Sequence, residues 1–192
     1  MNTWLSYLFL KMQAITVLVF GQKRAALVRF DAMSRLRPNS RYVMASRAHL
    51  LGELGDKHGA VEALTHITRQ HADNSAAWFN LGYLLDDMGR HSDAEPAFRR
   101  AIEIEPKMDR AWYGLALVLI RERRFDEAVA ALKTNTELQP MSPFGWYQLA
   151  RVHVDRQQPE EAVKIIRHLN GFEPKVAAQL ERETGLRIAQ SA

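Results

Sequence analysis

Little in the sequence could make or break a bond. Its seven histidines, His49, His58, His66, His71, His91, His153 and His168, form no His-x-x-x-His pair with acidic support, the spacing that sets two imidazoles on one helix face toward a metal. His66 and His71 are five residues apart and straddle an expected helix end, which does not aim them at one ion. There is no cysteine, so thiol nucleophiles, Cys-ligated metal centres and disulfides are excluded. No Gly-rich phosphate loop, Gly-x-Ser-x-Gly elbow or cofactor fingerprint occurs. Asp86–Asp87 and the run Arg121–Glu122–Arg123–Arg124 read as solvated helix ends rather than acid–base machinery. The expectation is a chain with no catalytic residue, no metal and no cofactor, whose chemistry is recognition by aromatic rings, carboxamides and guanidinium groups.

The 192 residues, 47% apolar and 25% charged, suit one folded globular domain and do not comfortably hold two. The formal net charge of +4 divides unevenly. Residues 1–50 carry Lys11, Lys23, Arg24, Arg29, Arg35, Arg37, Arg41 and Arg47 against Asp31 alone, while the remainder holds 18 basic and 21 acidic groups. This asymmetry predicts that the N-terminal quarter meets something anionic or membranous. The net acidic remainder, with no basic stripe, excludes nucleic acid as the expected partner.

The elements that position these groups are set by a repeat. Trp78, Trp112 and Trp146 are 34 residues apart, and so are Pro106, Pro140 and Pro174. Between them run Leu81, Gly82, Leu85, Gly89, Ala94, Phe98 and Ala101, then Leu115, Ala116, Leu119, Arg123, Ala128, Leu132 and Asn135, then Leu149, Ala150, His153, Gln157, Ala162, Ile166 and Leu169. Stepping backwards keeps the register through Met44, Ala48, Leu51, Gly55, Ala60, Leu64 and Ile67, and through Leu10, Ala14, Val17, Gly21, Ala26, Phe30, Met33 and Pro38. Gln13, Arg47, Asn135 and His153 are polar residues in apolar seats, and Ala72 stands where a proline is expected. Trp78, Leu81, Gly82 and Leu85 follow the spacing of one helix face. Gly89 ends that helix, Ser92 with Glu95 makes a capping box for the next, and Pro159 suits a first helical turn. Each unit is therefore a helical hairpin that buries its apolar face only by stacking on its neighbours.

The pattern of a large residue, Leu and a small residue, then Ala, Phe, Ala and Pro at these offsets resembles the tetratricopeptide repeat (TPR). The resemblance implies an all-α fold, a right-handed superhelix of five helical hairpins plus a C-terminal capping helix. Residues 1–40 form a divergent first hairpin, 41–74, 75–108, 109–142 and 143–176 four units, and 177–192 the closing helix and tail, the helix itself running from Lys175 to about Ile188. Trp112 is expected to be largely buried between hairpins. The resemblance also implies a concave surface lined by the first helix of each hairpin. There it places Tyr42 and His49, then Phe79, Asn80 and Tyr83, then Arg110, Tyr113 and Arg121, and in the fifth unit Phe144, Tyr147, Gln148 and Arg151. Such a surface anchors an extended peptide or helix, with Asn80 holding ligand backbone and the arginines gripping carboxylates. The competing reading has Phe79, Tyr113 and Tyr147 packed between hairpins and the charges merely solvated. The carboxylate clamp of chaperone-binding TPRs is incomplete. Asn80 and Arg110 fill two of its places, but Ala45, His49 and Gly114 fill others.

The first helix departs from the polar outer face that a terminal repeat normally presents. Trp4–Phe20 has 13 apolar residues of 17, with Lys11 its only charge. It lacks the cationic start and cleavage site of a signal peptide, and it is short for a transmembrane span. The expected docking set is Trp4, Leu5, Leu8, Phe9, Leu18, Val19, Lys23, Arg24 and Arg29. These residues would lie on a membrane surface or a membrane-protein partner, with a true span and a soluble dimer or partner contact as alternatives. The basic cluster predicts that the repeats lie in the cytoplasm, peripheral at the inner face of a membrane. The expected function is a non-enzymatic adaptor that holds a protein or peptide partner. The alternative is an accessory or regulatory subunit of a membrane-associated enzyme assembly, for example one for polysaccharide synthesis or export.

Overall fold

The structure is a computed structural model and describes residues 3–188. The parts of the expected first hairpin and closing tail at 1–2 and 189–192 lie outside the described residues. Among the described residues the chain is all-α and has no strand. The helices are α1 (Thr3–Val19), α2 (Lys23–Leu36), α3 (Arg41–Glu53), α4 (Lys57–Gln70), α5 (Ser75–Asp87), α6 (His91–Ile104), α7 (Asp109–Arg121), α8 (Phe125–Leu138), α9 (Pro143–Asp155), α10 (Pro159–Asn170) and α11 (Pro174–Thr184). The first helices α3, α5, α7 and α9 begin 34 residues apart, matching the tryptophan period.

Within a hairpin the first helix ends on a left-handed residue, at Gly21, Gly55, Gly89, Arg123 and Gln157, with φ between 58° and 83°. The next amide then reaches back five residues, Arg90 N to Leu85 O at 2.8 Å and Arg124 N to Leu119 O at 2.9 Å. This double bend caps the carbonyl end and lets the second helix start within four residues. Glycine adopts that conformation without penalty, whereas Arg123 and Gln157 hold it against a Cβ–carbonyl clash. Helix α6 begins at His91, so Ser92 lies inside its first turn rather than capping it. Side-chain caps are seen instead at Asp56 on α4 and Asn74 on α5.

Between hairpins the shared period of Trp and Pro has a direct cause. The indole N–H of Trp112 donates to Pro106 O and that of Trp146 to Pro140 O, both at 2.9 Å. Trp78 makes the same bond to Ala72 O at 3.1 Å, so the carbonyl, not the proline ring, is what the tryptophan needs. To reach it, the Trp112 ring stays half-buried at the surface rather than enclosed between hairpins.

The chain divides into two compact units between Asp93 and Ala94, inside α6. A hairpin packs on its neighbours alone, so compactness is local. In the first unit α1 packs on α2, α2 on α3, α3 on α4 and α4 on α5. Ala14, Ala26, Phe30, Met33, Val43 and Leu50 form the core at its N-terminal end, with Tyr7, Leu10, Val17 and Leu27 half-buried against them. In the second unit α7 packs on α8, α8 on α9, α9 on α10, and α11 on both α9 and α10. Helix α11 is shorter than expected. Gly185, at φ 73°, stops it, and the Ile188 amide donates to Glu181 Oε1 at 2.7 Å beyond that stop.

Three of the four polar residues in apolar seats, Arg47, Asn135 and His153, have a side-chain partner. Arg47 Nε donates to Asp31 Oδ1 at 2.6 Å. Asn135, only 6% exposed, donates through Nδ2 to Asp109 O at 2.9 Å. His153, 7% exposed, has Nδ1 at 2.9 Å from Gln158 Oε1. A buried polar group without a partner costs about 1–3 kcal/mol, which these bonds avoid.

Candidate functional site

The expected groove residues fall into two sets, one in each unit. In the first unit α3 contributes His49 and α5 contributes Asn80 and Tyr83 to one hollow of about 470 Å³. Its walls are Ala45, Ala48 and Gly52 on α3 and Ala76 and Ala77 on α5, with Leu64 and Ile67 of α4 behind. Small side chains on both facing helices create the space, and the apolar floor favours an apolar group. The rim is charged and paired. Lys57 Nζ lies 2.6 Å from Asp87 Oδ2, and Lys23 Nζ lies 3.0 Å from Glu53 Oε1. The Lys23 hydrogen bond, aided by the charge of His49, holds the Glu53 carboxyl below its ordinary value. Asn80 and Tyr83 are exposed and stand on the same helix face one turn apart. Tyr42 lies outside this hollow, edge-on to Phe30 at 5.8 Å with Lys11 Nζ 5.0 Å from its ring centre. Phe79 is half-buried and does not line it.

In the second unit Arg110 and Arg121 are exposed on α7 and Tyr113 is half-buried. Gly114 between them is structural, since a Cβ there would stand 2.6 Å from the Phe98 ring. Tyr147 and Arg151 are engaged within the chain. The Tyr147 hydroxyl donates to Glu183 Oε2 of α11 at 2.5 Å and accepts from Arg151 at 3.3 Å, while Gln148 is half-buried beside them. Tyr147, and after it Gln179, holds the Glu183 carboxyl below its ordinary value, and the bond to Tyr147 raises the Arg151 guanidinium. Sequence reasoning missed Glu183, because no repeat register extends to the closing helix to pair it with α9. Phe144 is 69% exposed at the start of α9.

The run Arg121–Arg124 is not simply a solvated helix end. Arg124 bonds Glu95 of α6 at 2.6 Å, Glu122 at 2.9 Å and Glu127 of α8 at 2.7 Å. Arg99 joins the same carboxylates of Glu95 and Glu127. The Glu95 carboxyl is lowered chiefly by Arg124 and then by Arg99, and the Arg124 guanidinium is raised. The network ties α6 and α8 to the bend between α7 and α8 within one unit. Among the described residues no group of three His, Asp or Glu is placed to hold a metal ion.

The apolar members of the expected docking set lie on α1 and the basic ones on α2. Tyr7, Leu10, Ala14 and Val17 face the core, and Ala14 is fully buried. The opposite face, Trp4, Leu5, Leu8, Phe9, Met12, Ile15, Leu18 and Val19, is exposed, with Phe9 at 64% and Val19 at 77%. The basic residues behind it behave differently from one another. Lys23 is bound to Glu53, Arg29 donates to Ala25 O at 3.0 Å, and Arg24 is exposed. No helix of the described residues is long and apolar enough to cross a membrane.

A family model described as tetratricopeptide repeat matches residues 46–108 and 83–143, together just over half of the chain. Against curated proteins the sequence finds no match. Among solved structures, MamA protein is similar with a TM-score of 0.81 at 16% identity, over 95% of this chain and 97% of that one. MamA from Desulfovibrio magneticus RS-1 is similar with a TM-score of 0.79 at 19% identity, over 93% and 96% of the two chains. YrrB, a TPR protein with an unusual peptide-binding site, gives a TM-score of 0.77 at 18% identity, over 88% of both. At such identities the likeness is one of fold. The sequence match, the 34-residue spacing of the first helices and the buried Leu and Ala seats agree, and the chain belongs to the tetratricopeptide repeat family.

Proposed function

We propose that this chain is a non-catalytic scaffold that holds a protein or peptide segment against α3 and α5, and that its first hairpin docks it to a membrane surface or a larger complex. The observation that carries the reading is the hollow itself. Its floor of alanine and glycine is backed by a closed apolar core, and the exposed Asn80 carboxamide and Tyr83 ring stand at its edge. An apolar ligand side chain fits the floor while Asn80 supplies a paired donor and acceptor to ligand backbone. The peptide-binding site in the name of YrrB supports recognition of this general kind. The basic N-terminal residues, complementary to the anionic lipids of a cytoplasmic leaflet, are what supports a place at the inner face of a membrane.

Selection of a displayed peptide library on the full chain tests the hollow. Ala45→Phe, which fills it from an exposed position, and Asn80→Ala together with Tyr83→Ala are expected to remove binding of the selected peptides while helicity and melting stay unchanged. Peptides that bind both variants as well as the parent chain would place recognition elsewhere. The second reading, an accessory subunit of a membrane-associated enzyme assembly, is favoured by the extent of the exposed α1 face. One stoichiometric enzyme partner on co-purification would select it.

A further inference from the structure

The docking reading leaves open what covers α1, and the two faces of that helix supply an answer. We propose that the outward face of α1 lies in the plane of an anionic lipid bilayer while its inward face stays packed on α2, so that the first hairpin is a rigid two-faced wedge rather than an anchor released from the fold. The proposal rests on the docking reading and commits it to lipid.

Four observations carry it. Tyr7, Leu10, Ala14 and Val17 pack against Ala26, Phe30 and Met33, while Leu8, Phe9, Met12, Ile15 and Val19 project away from that core. Both faces are apolar, so insertion of one does not require release of the other. Over the described residues the helix is 17 residues long, which at 1.5 Å per residue is about 25 Å, less than the ~30 Å hydrocarbon layer it would have to cross. An in-plane position needs no such length.

The single charge of α1 is also turned aside. Lys11 is half-buried with its ammonium over the Tyr42 ring, leaving the outward face without a charge. Finally, the surroundings are complementary to an anionic surface. Helix α1 contains no acidic residue, and Asp31, the one acid of the first fifty residues, is held by Arg47 at 2.6 Å. Arg24 and Arg35 on α2 are exposed, make no ion pair among the described residues, and lie on the same helix face as the exposed Val28. An apolar protein surface would use the outward face but would have no use for this cationic excess. Anionic lipid uses both.

The test is co-sedimentation of the full chain with vesicles of phosphatidylcholine alone, or of phosphatidylcholine with phosphatidylglycerol as about one-third of the lipid. The parent chain is expected to bind the anionic vesicles. Phe9→Glu with Met12→Glu should lower partitioning by roughly a hundredfold while melting is unchanged, because both residues are exposed in the free protein. Arg24→Glu with Arg35→Glu should weaken it by roughly thirtyfold at low salt and leave the weak binding to neutral vesicles unaltered. Hydrogen exchange at the α2 amides should stay protected on the vesicles, and lost protection around Phe30 and Met33 would overturn the wedge in favour of a released anchor. A parent chain that ignores both vesicles also overturns the proposal. If it then elutes with a stoichiometric protein partner that the Phe9/Met12 variant releases, the docking reading survives without lipid. If the variant changes neither property, both fall.

Discussion

Helices α1 and α5 hold the same place in their hairpins and turn opposite chemistry outward. Two repeat periods carry Met12 to Asn80, Ile15 to Tyr83, Leu18 to Asp86 and Val19 to Asp87. The inward seats are conservative by comparison, with Ala14, Ala48 and Gly82 all buried at one position. The hairpin is specified by its inward residues, because those seats alone are close-packed. The outward residues are then free to be polar on α5 and apolar on α1. A face that discriminates among partners needs donors and acceptors that go unsatisfied with the wrong one. A face that only needs to leave water does not.

The comparison breaks most readily at the inward seats. Phe30→Ala should destabilise the first unit by about 3–5 kcal/mol, since it empties the centre of the α1–α2 core. Phe9→Ala, on the outward face, should change stability by less than about 0.5 kcal/mol. Urea denaturation measures both, and a Phe9 effect approaching that of Phe30 would mean that the outward face is buried by the chain itself.

The place of Phe9 recurs in α9 as Gly145, four periods on, and there not even a methyl group fits. A Cβ at Gly145 would collide with Asn135 Oδ1 and crowd Thr136 Cγ2 at 3.1 Å. Gly145→Ala should therefore cost about 1–3 kcal/mol through overpacking. Asn135→Ala should cost about 1–2 kcal/mol by itself through its lost bond to Asp109 O. The pair combined should cost less than the sum, and a double-mutant cycle that proves additive would show that the two side chains do not touch.

The charges differ between the two regions as well. Those around Arg124 are consumed internally, whereas Arg24 and Arg35 are not. Because the Glu95 carboxyl is held below its ordinary value of 4.5, its contribution is present above that pH and is lost as pH falls through the lowered value. Acid titration of melting temperature should be shallower below about pH 4.5 for Glu95→Gln than for the parent, while Arg24→Gln should leave the profile as it is. Parallel profiles for Glu95→Gln and the parent would mean that the network adds nothing to stability.

The smallest effect lies at the hairpin bends. Arg123→Gly and Gln157→Gly relieve a left-handed non-glycine residue and should be stabilising or neutral, by up to about 1 kcal/mol. Gly55→Ala and Gly89→Ala should destabilise by a similar amount. Destabilisation by Arg123→Gly or Gln157→Gly would show instead that those two side chains hold their bends in place.

Most of the hairpin framework was legible because it depends on inward residues and bends, and both recur with the period. Gly21, Gly55, Gly89, Arg123 and Gln157 could be aligned although two of them are not glycine. The polar seats at Arg47, Asn135 and His153 looked like defects because their partners lie outside the aligned places, at Asp31, Asp109 and Gln158. Of the candidate groove, Asn80 and Tyr83 share a face of α5 as their spacing implies, and His49 of α3 lines the same hollow. The bonds from Tyr147 and Arg151 to Glu183 were not legible, since α11 follows no register and its side-chain partners depend on how it docks. Half-burial of Trp112 was not legible for a related reason. Size and period mark a core residue, but they do not show that one edge of the ring is needed by a loop carbonyl.

That indole bond has a consequence for the order in which the chain folds. Donor and acceptor are six residues apart at Trp78, Trp112 and Trp146 alike. Closing a loop of this length takes on the order of tens of nanoseconds, far less than the stacking of two hairpins. The bend between consecutive hairpins can therefore form while its neighbours are still searching, so that each new hairpin arrives already aimed at the one before it. A chain built from such local closures has low contact order, and its slow step is the pairing of hairpins rather than the making of any one of them.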